Sequence, residues 1–113
     1  MTIKSLPVVS RSVETKIKRL ANVLRERGIE VSRIILYGSY ATGKRRKGSD
    51  IDIAVISPQV GKDKINEGQE FFRISWRIDP RIEPIAISEE EWETKTWLPI
   101  IHEIKTNGIP ISV

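Results

Sequence analysis

Residues 33 to 57 read RIILYGSYATGKRRKGSDIDIAVIS, and this stretch decides the fold. It begins with an apolar, β-branched run from Arg33 to Tyr37 and ends with a second such run from Ile51 to Ile56. Short runs of this composition, bounded by turn residues, are typical of buried strands. The stretch therefore predicts two strands joined by a polar and basic loop.

Helices are predicted on both sides of these strands. Apolar residues recur at helical spacing over residues 12 to 27, with Ser10 or Ser12 as the N-terminal cap and Gly28 as the stop. A second helix is predicted between residues 61 and 79. We expect its buried face to contain Ile65, Phe72 and Trp76.

The last third of the chain predicts a strand, a broken helix and a short edge strand. Ile82 to Ile87 is a third apolar run, and Ser88 followed by Glu91 is the capping-box pattern that begins a helix. We expect that helix to break near Pro99 and Ile109 to Val113 to form an edge strand. The order of elements indicates an α/β or α+β domain in which helices cover a small sheet.

The composition is that of a folded protein the size of one domain. The chain has 113 residues, of which 39% are hydrophobic and 30% charged, and it contains no cysteine. We therefore expect one domain over residues 1–113, no disulfides and no thiolate metal sites. No apolar stretch has the length of a signal peptide or a membrane span, so a cytoplasmic location without membrane contact is expected.

Asp50 and Asp52 flank Ile51 at the start of the second predicted strand. Side chains two residues apart in a strand point to the same side, so the two carboxylates should share one small space. A divalent cation between them would remove their repulsion. Mg²⁺ prefers carboxylate oxygens and takes its remaining ligands from water and substrate phosphates, so the pair predicts a phosphate-bearing ligand as well.

The residues before the aspartates offer a place for that phosphate. Gly38 permits close backbone approach, and Ser39 offers a hydroxyl beside the N–H groups of a short helix through Thr42. Gly43 should end this helix, and the run Lys44 to Lys47 would form a basic rim near the anion. The interpretation is a triphosphate on the Gly-Ser turn, linked through metal to the aspartates.

These residues resemble a known signature. Gly38 to Gly43 and Ser49 to Asp52 are similar to the GS-x-x-x-G and S-D-x-D pattern of the polymerase-beta-type nucleotidyltransferases. Because of its small size, the chain most resembles a minimal nucleotidyltransferase, the antitoxin-like partner of HEPN-domain proteins in toxin–antitoxin modules. The resemblance implies a small mixed sheet with flanking helices. It implies ATP or another nucleoside triphosphate as substrate and Gly38, Ser39 and Ser49 as its binding residues.

The resemblance also implies a third carboxylate on a neighbouring strand. Glu83 is the candidate, with Asp79 as the substitute if that strand is placed wrongly. Asp50, Asp52 and Glu83 would then be the catalytic and metal-binding residues, and two Mg²⁺ ions roughly 3.5–4 Å apart would stabilise the attacking and leaving oxygens. The implied reaction is attack of a hydroxyl on the α-phosphate, with pyrophosphate leaving.

Several of these residues also have simpler interpretations. An isolated Asp-x-Asp pair is often a solubilising strand edge, a basic run is often a solvated loop, and Ser49 is a natural turn former. His102 is read as structural or exposed. The three tryptophans, Trp76, Trp92 and Trp97, are expected mainly in the core. Trp92 and Trp97 are also candidates for an interface.

Three functions follow from the sequence. The first is an Mg²⁺-dependent enzyme that transfers a nucleoside monophosphate, AMP by preference, to a hydroxyl of a HEPN partner. The second is an antitoxin that neutralises the partner by contact alone. The third, a nucleic-acid-binding domain, rests only on Lys44 to Lys47 and lacks interleaved aromatic residues. The acceptor, the nucleotide base and the oligomeric state stay open at this point.

Overall fold

A computed structural model describes residues 9–46 and 48–113. Five helices and four strands lie within these ranges. In chain order they are α1 (Arg11–Glu26), β1 (Arg33–Tyr37), α2 (Ser39–Thr42), β2 (Ile51–Ser57), α3 (Lys64–Trp76), β3 (Ile82–Ser88), α4 (Glu89–Thr94), α5 (Pro99–Asn107) and β4 (Ile109–Ile111).

The four strands form one mixed sheet in the order β3-β2-β1-β4. β1 runs antiparallel to both β2 and β4, whereas β2 and β3 are parallel. A parallel pair needs a crossover connection, and α3 supplies it. The predicted small mixed sheet with flanking helices is confirmed, as is the short edge strand at the end of the chain.

Alternate residues of the strands pack into two apolar layers. On one face of the sheet, Ile51, Ile53 and Val55 of β2 join the buried side chains of α1 and α3. On the other face, Ala54 and Ile56 pack with residues of α4 and α5. Because side chains alternate along a strand, Asp52 lies on the α4–α5 face, beyond the apolar part of that layer.

The local signals in the sequence set the helix ends. Ser10 caps α1 by accepting a hydrogen bond from the Val13 N–H at 3.3 Å, and Ser88 and Glu91 form the predicted capping box at α4. The helical segment after β3 is interrupted, and its second part begins at Pro99, as predicted. Within the described ranges, no helix has both the length and the apolar character needed to cross a membrane.

The predicted buried face of α3 is wrong. Ile65, Phe72 and Trp76 do share one side of the helix, but they are 75%, 44% and 56% exposed. The buried side contains Phe71 and Ile74 instead, because α3 carries two apolar stripes and spacing alone does not say which one meets the sheet.

One of the three tryptophans lies in the core as predicted, and the other two do not. Trp92 is buried, with 7% of its surface exposed, so it belongs to the core rather than to an interface. Trp76 and Trp97 are 56% and 73% exposed, and neither is a core residue. His102 is exposed on α5.

Candidate active site

Three polar side chains form a row across the sheet. Tyr37 at the end of β1 is the register partner of Asp52 in β2, and Asp52 is the register partner of Glu83 in β3. Residues that are directly paired on adjacent strands project to the same face, so the row places a phenol and two carboxylates next to one another. The structure thus brings together Asp52 and Glu83, which are 31 residues apart in the sequence.

The electrostatics of this row reflect crowded negative charge. Burial, followed by the neighbouring charges of Glu83 and Asp50, raises the pKa of Asp52 above its usual value. Burial, Asp52 and Glu83 together raise the pKa of Tyr37 to about 12, so this phenol keeps its proton at neutral pH. Cations that lie between the carboxylates would relieve this repulsion.

Asp50 lies just before β2 and is exposed, whereas Asp52 is half-buried. Between them, the Ile51 N–H donates a 2.7 Å hydrogen bond to the carbonyl of Arg81, which fixes the start of β2 against the start of β3. Both aspartates therefore lie at the same end of the parallel strand pair.

Gly38 joins the carboxylates to the turn that precedes α2. Its φ of +72° lies in the left-handed region, and a Cβ atom there would stand 2.4 Å from Oδ2 of Asp52. Only glycine allows the backbone to come this close to the carboxylate. Ser39 follows as the first residue of α2, and Gly43 ends that helix in the left-handed conformation, as predicted.

An ion-pair network connects α1 and α2 to the residues just before β3. Asp79 is buried and accepts hydrogen bonds from Lys16 at 2.7 Å and from the Arg81 guanidinium, which also donates to the Tyr40 hydroxyl at 3.2 Å. The hydrogen bonds from Arg81, aided by Lys16, hold the pKa of Asp79 far below its usual range. Asp79 is thus occupied by structural partners, while Glu83 is the carboxylate in register with Asp52.

The loop between α2 and β2 is exposed. The guanidinium of Arg45 lies over the Tyr40 ring, 5.3 Å from its centroid, and the Arg46 N–H donates to the Ser49 hydroxyl at 2.7 Å. Ser49 therefore shapes the turn that leads to Asp50. Lys44 is exposed, and Lys47, the last residue of the predicted basic rim, lies outside the described residues.

The donor set fits a hard divalent cation that is completed by its substrate. Asp50, Asp52 and Glu83 offer only carboxylate oxygens, which Mg²⁺ prefers, and Asp52 and Glu83 are register partners on adjacent strands. Among the described residues, no three acidic or imidazole side chains are close enough to form a cage by themselves. A metal held here would take further ligands from water and phosphate.

Sequence reasoning missed Tyr37 and Arg81 as parts of this region. Tyr37 was visible as the last residue of the first apolar run, but its place beside Asp52 depends on strand register, which is a non-local property. Arg81 lies two residues before Glu83, and its link to Tyr40 spans 41 positions of the chain. No local pattern in the sequence marks either contact.

Residues 17–107 match the family model of the nucleotidyltransferase domain, which covers well over half of the chain. The chain belongs to the nucleotidyltransferase domain family. The recognition of a minimal nucleotidyltransferase from the Gly-Ser and Asp-x-Asp signature is thereby confirmed. A search of curated proteins gives no significant match.

Solved structures share this fold. A toxin–antitoxin structure with AMP-PNP is 26% identical, with a TM-score of 0.62, and the match covers 88% of this chain and 72% of that one. A mutant of the toxin–antitoxin pair MntA–HpeT is 24% identical over the same shares, with a TM-score of 0.61. A nucleotidyltransferase-like chain from Sulfolobus solfataricus is 18% identical, with a TM-score of 0.50, over 89% of this chain and 86% of that one.

Proposed function

We propose that this nucleotidyltransferase transfers a nucleoside monophosphate, AMP by preference, from a triphosphate to a hydroxyl of a HEPN-domain partner and so acts as an antitoxin. The observation that carries the proposal is the contact between Gly38 and Asp52, with Glu83 in register beside them. A phosphate-binding turn and a carboxylate row at one point are what nucleotidyl transfer requires.

The proposed roles follow from position. Gly38 and Ser39 bind the phosphates at the start of α2, and Asp50 and Asp52 hold Mg²⁺, with Glu83 as third ligand or general base. When bound, Mg²⁺ supplies positive charge that stabilises the oxygens around the reacting phosphorus. Tyr37, which keeps its proton, is placed to donate a hydrogen bond within the same row.

The proposed step is a substitution at the α-phosphorus. The acceptor oxygen forms a bond to phosphorus, the bond to the pyrophosphate oxygen breaks, and pyrophosphate leaves with both electrons of that bond. The acceptor proton passes to the Glu83 carboxylate or to water. The same residues therefore bind the donor, orient the acceptor and receive the proton.

The choice of partner and of nucleotide is supported by structural relatives. Two of them are toxin–antitoxin structures, and the one that is 26% identical contains AMP-PNP, an analogue of ATP. This supports ATP as donor and a toxin as partner for the present chain. The HEPN class of the partner rests on the resemblance described above.

The first prediction tests the transfer. Incubation of the chain with ATP, Mg²⁺ and a coexpressed HEPN-domain protein should add AMP to that protein, detected as a mass increase by mass spectrometry. Asp52→Asn should lower the rate at least about a hundredfold because a ligand of the Mg²⁺ that stabilises the transition state is lost. Glu83→Gln should be similarly severe, whereas Glu93→Gln, which changes an exposed carboxylate on α4, should leave the rate unchanged.

The alternative is a non-catalytic antitoxin that binds the same partner. It predicts a stable complex and neutralisation of the toxin without any adenylate adduct, and equal neutralisation by wild type and Asp52→Asn. Triphosphate binding that is independent of Mg²⁺ in calorimetric titrations would also count against metal-assisted transfer. The crowded carboxylates favour the enzyme, since contact alone does not require uncompensated negative charge in a strand row.

A further inference from the structure

A groove runs along the free edge of the sheet, beside the candidate active site. It has a volume of about 590 Å³ and lies between α3 and β3, with Ile65 and Phe72 on the helix side and Glu83 and Ile85 on the strand side. β3 is at one end of the strand order, and among the described residues no strand pairs with its outer side. Of the residues with a role in the proposed transfer, only Glu83 lines this groove.

The groove reaches the reacting groups at one end. Glu83 lines the groove and is at the same time the register partner of Asp52. A molecule that lies along β3 would therefore place one of its atoms near Glu83 while the remainder contacts α3. A triphosphate on the Gly38 turn would occupy the other side of Asp52, since β2 separates β3 from β1.

The lining of the groove is apolar and offers little free charge. Ile65 is 75% exposed and Phe72 44% exposed, and Gly68 lies between them on the same side of α3, where a Cβ atom would meet nothing within 4 Å. Among the described residues that line the groove, the one ammonium is that of Lys64, and it is paired with the Glu91 carboxylate. Such depletion of charge around exposed apolar side chains is typical of the centre of a protein interface.

These features discriminate between acceptor classes. The phosphates of a nucleic-acid end would meet the Glu83 carboxylate without an unpaired cation in the lining, and a polyamine sugar would leave Ile65 and Phe72 uncovered. A peptide segment matches both ends of the groove, because its apolar side chains cover α3 while a hydroxyl lies at Glu83. The volume suits a few side chains and is too small for a folded element.

We infer that the groove between α3 and β3 is the acceptor subsite and that it takes an extended apolar segment of a protein, with the reacting serine, threonine or tyrosine hydroxyl next to Glu83. This inference rests on the proposed transfer and gives it an acceptor class and a place. The segment belongs to the partner protein, and its flanking apolar residues provide the affinity.

Gly68 allows a test that does not disturb the fold. It lies within α3, where glycine is less favourable than other residues, so replacement should preserve or raise the melting temperature. Gly68→Gln fills the groove with a side chain, whereas Gly68→Ala adds one methyl group and leaves most of the space. The pair separates occupancy of the groove from stability.

The probe is an acetylated and amidated pentapeptide, Ala-Leu-Ser-Leu-Ala, titrated into isotopically labelled protein and followed by NMR. We expect amide shifts around Ile65, Gly68, Phe72 and Ile85. Affinity should fall at least about fivefold in Gly68→Gln and stay within about twofold in Gly68→Ala, since only the glutamine displaces a buried apolar contact. The matched peptide Ala-Lys-Ser-Lys-Ala should bind more weakly than the leucine peptide.

Shifts confined to other surfaces, equal binding of the lysine peptide, or unchanged affinity in Gly68→Gln would overturn the inference. Binding of a trinucleotide to the groove would do so as well. So would a dimer of this chain, detected by ultracentrifugation, in which Ile65 is buried. None of these measurements requires turnover. Peptide bound in the groove without any adenylate transfer would therefore contradict the proposed function and leave the subsite intact.

Discussion

At the scale of single residues, the contact between Gly38 and Asp52 is the point on which the site depends. Glycine is required there twice, because the backbone has a positive φ and because the Asp52 carboxylate occupies the space of a side chain. The chain contains a close comparison. Gly43 has nearly the same φ, +76° against +72°, but a Cβ atom at Gly43 would meet nothing within 4 Å.

We predict that Gly38→Ala is much more damaging than Gly43→Ala. Gly43→Ala should lose about 1 kcal/mol of unfolding free energy, because Gly43 has a left-handed helical backbone with ψ +11°. Gly38 has ψ −149°, a conformation that glycine almost alone adopts, so Gly38→Ala should lose roughly 1–3 kcal/mol from the backbone and a similar amount from overpacking against Asp52. Chemical denaturation gives the stabilities, and calorimetry with ATP and Mg²⁺ gives nucleotide affinity. Equal stability of the two variants would show that the close approach to Asp52 is not a constraint.

At the scale of elements, the Arg81 side chain connects parts of the fold that are distant in sequence. It donates to Asp79, which is also bound by Lys16 of α1, and to Tyr40 of α2. The backbone carbonyl of Arg81 accepts a hydrogen bond from the Ile51 N–H at the start of β2. The orientation of the Gly38–Ser39 turn relative to the carboxylate row therefore depends on one ionic network.

We predict that Asp79→Asn lowers the unfolding free energy at pH 7 by about 2 kcal/mol. Removing one partner of a fully buried ion pair lowers the unfolding free energy by more than this. Here Lys16 and Arg81 keep 32% and 39% of their side-chain surfaces exposed, so water weakens their attraction to Asp79. Because the pKa of Asp79 is lowered on folding, its stabilisation is complete above pH ~4 and is lost as the pH falls toward the folded-state pKa.

Urea denaturation of wild type and Asp79→Asn at several pH values measures this difference. The two stabilities should converge as the pH falls below ~4. Glu14→Gln is the control, since it removes an exposed helical pair with Lys18 and should change stability by only a few tenths of a kcal/mol, roughly. A difference for Asp79→Asn that is constant from pH 7 to pH 2 would contradict an ionic role.

The elements themselves could be predicted from local sequence, but their mutual arrangement could not. The strand from Arg33 to Tyr37 and the capping box at Ser88 depend on neighbouring residues, and both appear as predicted. The buried side of α3 could not be read off, because two apolar stripes compete and the sheet selects the one with Phe71. In the same way, Asp52 and Glu83 were recognisable as candidates, but their pairing is a matter of strand register.

At the scale of the whole molecule, the exposed large apolar side chains of the described residues include two groups. One is on the α3 side, and the other consists of Trp97, just before α5, and Ile100 in the first turn of α5, which are 73% and 44% exposed. Neither group is part of the carboxylate row. A partner could therefore be held at the second surface while the segment that is modified lies in the groove beside Glu83.

We predict that Trp97 is a principal contact with the HEPN-domain partner. Tryptophan contributes strongly at interfaces, so Trp97→Ser should weaken the complex at least about thirtyfold. The melting temperature of the isolated chain should stay unchanged, since the side chain lies mostly in solvent. Lys95→Ser, which alters an exposed residue two positions away, is the control.

Size-exclusion chromatography and calorimetry of the two chains measure the affinity, and transfer at saturating partner measures turnover. If Trp97 only holds the partner, Trp97→Ser should regain the wild-type transfer rate at high partner concentration. Gly68→Gln should keep a lower rate even at saturating partner, because the hydroxyl is then misplaced relative to Glu83. Equal affinity of wild type and Trp97→Ser would contradict the role of Trp97 and point to another apolar surface, such as the α3 side.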